Sequence, residues 1–259
     1  MIIKHFVVVI AVTLLSCTEA NLPNTEARVS ANGSQQLLQI KKYLIEKFPD
    51  LKEPRSAESI GHRLRDIIHS QVKSGPSPKG FQFTQNIHRG FIESMENPTV
   101  QHFCQGQTIL YAQALAAFGI AFRPVSLFSS INQDEKGHGN HSLLEFKANG
   151  KWIASDMKRN LYFVNGNGEA IGFNEMASLE NWRPKAKNRK LTPEKVQSIR
   201  ERMTKLMKFI AISDKDPIYL PDSWNGVILS QKYTGGSRNV ILGHKAFHAI
   251  QLISSEESL

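Results

Sequence analysis

Apolar residues recur at helical spacing in the first third of the chain and again near residue 200. The inward positions of the two early stretches are Leu37, Ile40, Leu44, Phe48, Ile60, Leu64, Ile67 and Ile68. Those of the late stretch are Val196, Ile199, Met203, Leu206 and Ile210. One apolar stripe predicts a helix that packs one face on a core. Ser34 is placed to cap the first helix, Pro49 to end it, and Thr192-Pro193-Glu194 to begin the last.

The segment after Cys104, QGQTILYAQALAAFGI, has a different pattern, because its apolar residues cover most of a helical circumference. A helix that is apolar nearly all round is buried in a core, and Gly119 is a natural place for it to stop. Cys104 is therefore expected at, or just before, the N-terminus of a buried helix. The partial positive charge at that end favours a thiolate and lowers the pKa of a thiol.

Residues 121–128 and 141–156 read as strands, and Asn149-Gly150 inside the second run is a strong signal for a two-residue hairpin turn. With these two residues as the turn, facing positions sum to 299, so Asp156 faces Leu143. His141 shares the face of Leu143, which makes His141 and Asp156 diagonal neighbours on adjacent strands. Their backbones are then expected roughly 7–8 Å apart. A register error of one residue would put them on opposite faces.

These residues, in this order, resemble the core of the transglutaminase-like superfamily, which has a papain-like fold. Its pattern is a cysteine that opens a helix, a Gly-Ile…Arg segment, a histidine that starts one strand and an aspartate that ends the next. The matching positions are Cys104, Gly119-Ile120…Arg123, His141 and Asp156. The resemblance implies an α+β fold with N-terminal helices, a buried cysteine-bearing helix and an antiparallel sheet.

The resemblance also implies an enzyme, in which His141 takes the proton of Cys104 and Asp156 orients His141. The thiolate would attack an amide carbonyl and form a thioester. If water attacks this thioester, the protein is a peptidase or amidase. If an amine attacks it, the protein is a transglutaminase, and the sequence leaves both open. The alternative is a noncatalytic binding or scaffolding protein that keeps this fold. No cofactor is implied, and Asp134, His138 and His141 are a weak metal pattern because no further spaced ligands accompany them.

The first 17 residues, MIIKHFVVVIAVTLLSC, have a basic start and an apolar run too short to span a bilayer as a mature helix. Leu14-Leu15-Ser16-Cys17 resembles the bacterial lipobox, in which the cysteine receives the lipid; a plain secretory signal is the alternative. We expect a lipoprotein of the bacterial cell envelope, anchored through Cys17, with Thr18 favouring the outer membrane and the domain facing the periplasm.

The expected division of the chain is a signal peptide over 1–16, a tether over 17–33, a transglutaminase-like core over 34–190, and an extension of helix and hairpin over 191–259. In that extension Gly235-Gly236 forms the turn. The segment RPKAKNRK at 183–190 is read as a basic connector.

The chain carries 32 basic and 23 acidic residues, a net charge of +9. Such a balance fits a solvated basic surface or attraction to anionic surfaces such as phospholipid headgroups and envelope polymers, and no nucleic-acid motif accompanies it. The expected partners are a protein or peptide substrate in the envelope and the membrane that holds the lipid; the oligomeric state is left open. His102, two residues before Cys104, is expected to be exposed.

The lipobox interpretation predicts that Cys17→Ser blocks lipid attachment, because the acceptor sulfur is gone. The variant should leave the membrane fraction and appear in the soluble envelope fraction, as measured by fractionation and by mass spectrometry of the N-terminus. A variant that stays with lipid as the wild type does would contradict this prediction.

Overall fold

A computed structural model of the chain describes residues 31–78, 81, 86–128, 140–187, 189–207 and 209–212. The predicted signal peptide, Cys17, most of the tether, the loop with Asp134 and His138, and the hairpin at Gly235-Gly236 lie outside these residues. They stay predictions, as does the division of the chain into domains. Within the described part of the chain, no helix is both long and apolar enough to cross a membrane.

The helices are α1 (Ala31–Lys47), α2 (Ala57–Gln71), α3 (Ile87–Glu96), α4 (Cys104–Ala117), α5 (Phe173–Ser178) and α6 (Pro193–Leu206). Helix α6 begins where local signals predict but ends at Leu206, so the prediction that Ile210 belongs to its apolar stripe is wrong; Ile210 lies in a strand. A short 3-10 helix over Pro49–Lys52 follows α1. The side chains of Ser56 and Thr192 cap α2 and α6, each accepting a hydrogen bond from a backbone N–H three residues on. The first helix begins three residues before the predicted cap at Ser34.

The strands form one six-stranded antiparallel sheet. They are β1 (Phe122–Phe128), β2 (Asn140–Ala148), β3 (Lys151–Asp156), β4 (Leu161–Val164), β5 (Arg183–Lys185) and β6 (Phe209–Ile212). Their order in the sheet is β5-β4-β3-β2-β1-β6. The predicted α+β class, with N-terminal helices, a buried cysteine-bearing helix and an antiparallel sheet, is confirmed.

The hairpin of β2 and β3 has the predicted register, in which Leu144 faces Ser155 and Ala148 faces Lys151. Both turn residues have positive φ, 52° at Asn149 and 77° at Gly150, as the favoured two-residue hairpin turn requires. The prediction that facing positions sum to 299 is therefore confirmed, and it fixes the strand positions of His141 and Asp156.

The sheet is covered on both faces. Helices α1 to α4 and one face of the sheet enclose the first core, which includes Leu110, Tyr111, Leu144 and Phe146. The second core contains Leu143, Ala154, Phe163 and Trp182 of the opposite side, packed with Ile199, Met203 and Leu206 of α6. The interpretation of 183–190 as a connector is wrong at its start, because Arg183–Lys185 pairs with β4 as an edge strand. Pro184, which cannot donate to a ladder, is tolerated at such an edge.

Helix α2 holds the turn that follows β3, residues 157–160. Arg65, with no exposed surface, donates from Nε to Asn160 Oδ1 at 2.7 Å. The same guanidinium donates to Asp66 Oδ1 at 3.2 Å and lies beside His62. One turn later, His69 Nδ1 donates to the Met157 carbonyl oxygen at 3.0 Å. Two contacts from one helix thus fix the backbone that leaves Asp156.

We predict that Arg65→Met lowers the free energy of unfolding by about 3 kcal/mol, because the change removes a wholly buried guanidinium that bonds Asp66 and Asn160. Urea denaturation measures this. The matched control is Arg63→Met in the same helix, whose pair with Asp50 is 30% and 36% exposed at the side chains. A half-exposed pair contributes at most about 1 kcal/mol. Equal losses at the two positions would show that Arg65 does not carry the buried network.

Candidate active site

Cys104 is the first residue of α4 and lies against the start of β2. The Thr108 hydroxyl lies 2.7 Å from the Cys104 carbonyl oxygen and 3.2 Å from the Ser142 carbonyl oxygen, so the first turn of the helix contacts the strand backbone directly. The helix is buried on nearly every side, as its pattern predicts. Because the first backbone N–H groups of a helix have no partner within it, this end presents donors and partial positive charge beside the sulfur.

His141 and Asp156 meet across the β2–β3 hairpin. His141 Nε2 lies 3.1 Å from Asp156 Oδ2, and the two side chains are 3% and 0% exposed. Cys104 and His141 are close enough for the imidazole to lower the pKa of the thiol. Since Nε2 faces the carboxylate, Nδ1 is the nitrogen that remains for the thiol. The structure thus brings together all three residues singled out from the sequence.

The three side chains shift one another's charge states. Burial raises the pKa of Cys104, but the hydrogen bond and charge of His141, the backbone N–H of Ser142 and the charge of Lys158 outweigh it and bring the pKa to about 7. Burial lowers the pKa of His141, but Asp156 and Cys104 outweigh it and raise the pKa to about 9. Between these two values a thiolate and an imidazolium coexist as a coupled pair.

Asp156 remains ionised although it is wholly buried. Burial raises its pKa, but the charges and hydrogen bonds of His141 and Arg159 outweigh this and hold the pKa well below its usual range. A buried carboxylate with cations on both sides can orient an imidazole and stabilise its protonated form.

Arg159 belongs to the site and was missed by the sequence analysis. Its Nη1 lies 2.6 Å from Asp156 Oδ2, and its backbone N–H donates to Asp156 Oδ1 at 3.2 Å. The same Nη1 lies 2.9 Å from His141 Nε2. His141 Nε2 directs its proton at Asp156, so it does not accept a hydrogen bond from Arg159. The imidazolium of His141 and the guanidinium of Arg159 therefore both donate to Asp156 Oδ2. The only signal in the sequence is that Arg159 follows Asp156 by three positions. This spacing points to a contact only once the chain is known to turn at residues 157–160.

The prediction that His102 is exposed is wrong, because it has no exposed surface. The Ser94 hydroxyl donates to the Gly90 carbonyl oxygen at 2.8 Å, so its oxygen accepts from His102 Nε2 at 2.9 Å. His102 Nδ1 then accepts from the Ser77 hydroxyl at 2.8 Å. Burial lowers the pKa of His102 to about 4, which keeps the ring neutral near pH 7. Its role is to fix the backbone that leads into Cys104.

The weak metal pattern cannot be placed in the structure. No group of three or more metal-binding side chains occurs in the described ranges, and Asp134 and His138 lie outside them. Trp152 is half-buried on β3, with the Arg123 guanidinium 4.3 Å from its ring centre. This stack lies in the strand and not at the thiol.

Comparison with known proteins adds little to the geometry. No protein-family model matches the chain, and no curated protein matches it either. Among solved structures, the chain is similar to one called "Putative Cysteine Protease from Cytophaga hutchinsonii", with 18% identity and a TM-score of 0.33. The match covers 60% of this chain, and the chain spans slightly less than half of that protein, 47%.

We predict that His141→Ala moves the pH midpoint of Cys104 alkylation upward by more than about 1 pH unit. The wild-type midpoint should lie near 7; without the imidazole, burial dominates and disfavours the thiolate. The rate of carbamidomethylation by iodoacetamide, followed by mass spectrometry from pH 5 to about 10, measures the midpoint. A melting curve confirms that the variant is folded, and an unchanged midpoint would show that His141 does not activate the thiol.

Proposed function

We propose that the protein is a cysteine-dependent amide hydrolase or acyltransferase of the transglutaminase-like type, with Cys104 as the nucleophile. The observation that supports this most is the continuous contact from the thiol through His141 to a fully buried Asp156. The proposal extends to a lipid anchor at Cys17 in the bacterial envelope, which derives from the sequence alone.

In the proposed acylation step, the Cys104 thiolate attacks the carbonyl carbon of an amide and a C–S bond forms. Negative charge collects on the carbonyl oxygen, for which the backbone N–H groups at the start of α4 are the candidate donors. His141 gives its Nδ1 proton to the amide nitrogen, the C–N bond breaks, and an amine leaves. A thioester on Cys104 and a neutral imidazole remain.

In the second step, neutral His141 takes a proton from water or from an amine, which attacks the thioester carbon. The C–S bond breaks, and the thiolate and imidazolium are restored. Water yields a carboxylic acid, and an amine yields a new amide. Because both routes use the same three side chains, the outcome depends on which nucleophile can reach the thioester, and we include both in the proposal.

Asp156 contributes by holding Nε2 protonated, which leaves Nδ1 directed at the sulfur. Its buried charge also stabilises the imidazolium that acylation consumes. Since a protonated His141 and an ionised Cys104 are needed together, the rate on an amide should rise with pH through about 7 and fall through about 9, the pKa values of Cys104 and His141.

We predict that Asp156→Asn slows acylation by at least about tenfold, or roughly 1.4 kcal/mol of barrier, because the change removes the charge that holds the imidazolium. Release of p-nitrophenolate from p-nitrophenyl acetate measures the rate, and intact mass detects the acetyl group on the protein. The matched control is Asp50→Asn, which breaks a pair with Arg63 outside the site.

Similar small losses in both variants would remove Asp156 from the mechanism. Cys104→Ser should lack both the acetyl group at position 104 and the fast release of p-nitrophenolate. If wild-type protein neither carries an acetyl group at Cys104 nor releases p-nitrophenolate faster than Cys104→Ser, the chain is a noncatalytic binding protein on this fold and the proposed function is wrong.

A further inference from the structure

Two basic segments run side by side next to the candidate site. One is the 157–160 turn, and the other follows the edge strand β5. In the register of β4 and β5, Tyr162 faces Lys185 and Val164 faces Arg183, and Lys187 lies two residues beyond the last paired position. Farther along, Arg189 Nη2 donates to the Arg159 carbonyl oxygen at 2.9 Å, which shows that the two segments stay adjacent.

We call four exposed cations, from the turn, the end of β5 and the residues after it, the cationic rim: Lys158, Lys185, Lys187 and Arg189; the exposed Lys190 follows them. Among the described residues, none of the four lies within ion-pair distance of a carboxylate. Residues 157–168 and 181–192 contain no aspartate or glutamate. By contrast, the charge of Arg159 is directed at Asp156. The rim is therefore a patch of uncompensated positive charge.

The rim is close enough to the thiol to act on what binds there. Lys158 is two residues from Asp156, and its charge lowers the pKa of Cys104. Arg189 contacts the backbone of Arg159, whose guanidinium lies 2.9 Å from His141. An anionic group held between Lys158 and Arg189 would lie at the turn from which Arg159 reaches His141.

We propose that the cationic rim binds a negatively charged group of the substrate, and that the substrate is a carboxylate-bearing peptide or amide. This inference rests on the proposed function, since it assigns a substrate class to that same site. A membrane surface is the other anionic partner that a basic patch could contact. The substrate is favoured because Lys158 precedes Arg159 and Arg189 contacts its backbone, and Arg159 is the residue that reaches both His141 and Asp156.

The test compares two alkylating agents that differ by one charge, iodoacetate and iodoacetamide, on the full chain. The ratio of their rates at Cys104 reports anion attraction, because any change in the pKa of the thiol alters both rates equally. We expect the wild-type ratio to fall as ionic strength rises. Lys158→Gln and Lys187→Gln should each lower the ratio about twofold, which is the effect of one charge across about 10 Å of water.

The matched control is Lys151→Gln. Lys151 is exposed and lies at the turn end of the hairpin, five residues from Asp156, or about 16 Å along the strand. Its removal should leave the ratio within experimental error of the wild type. The charge lost is the same, so a general effect of net charge would appear here too.

The outcomes separate the two proposals. If both reagents label Cys104 slowly near pH 7, the thiol is not activated and the proposed function fails. The substrate inference is overturned if both reagents label Cys104 fast but the ratio of their rates is the same in the rim variants as in the wild type. It is equally overturned if Lys151→Gln changes the ratio as much as the rim variants do. It is also overturned if the rim variants abolish binding to vesicles of phosphatidylglycerol while the ratio stays unchanged, since the rim would then serve the membrane.

Discussion

The site depends on one buried negative charge. Asp156 has no exposed surface, and removing a carboxylate from water costs several kcal/mol unless cations and donors replace the solvent. His141 from β2 and Arg159 from the next turn supply them. Each of these must itself be held in place, and the contacts of Arg65 and His69 in α2 hold that turn. Helix α2 thus supports the turn on which this carboxylate depends.

The nucleophile is positioned by a separate set of contacts. Thr108 joins the first turn of α4 to the backbone of β2, and His102 is locked between Ser77 and Ser94 just before the helix begins. Gly106 packs so closely on His102 that a Cβ added at Gly106 would lie 2.8 Å from the Cβ of His102. Because His102 stays neutral, its role is rigid support, and the titrating pair is confined to Cys104 and His141.

The parts of the fold that could be predicted from the sequence are those with short-range signals. Thr192-Pro193-Glu194 predicts the start of α6, and Asn149-Gly150 predicts the register that makes His141 and Asp156 neighbours. Arg159, His102 and the edge strand β5 were missed for one shared reason. Their environments come from contacts distant along the chain, so an arginine in a turn or a basic run reads as solvated surface until the partner strand or helix is placed.

The length of the hairpin is as much a determinant of the site as its residues. His141 and Asp156 are 15 positions apart, and the turn at Asn149 lies between them. A slip of one residue between the two strands would send the carboxylate to the other face of the sheet. A slip of two would restore the face but shift the carboxylate along the strand by about 6.6 Å, too far for the imidazole. Insertions at this turn therefore spare the chemistry only if they lengthen the loop and leave the pairing of Leu144 with Ser155 unchanged.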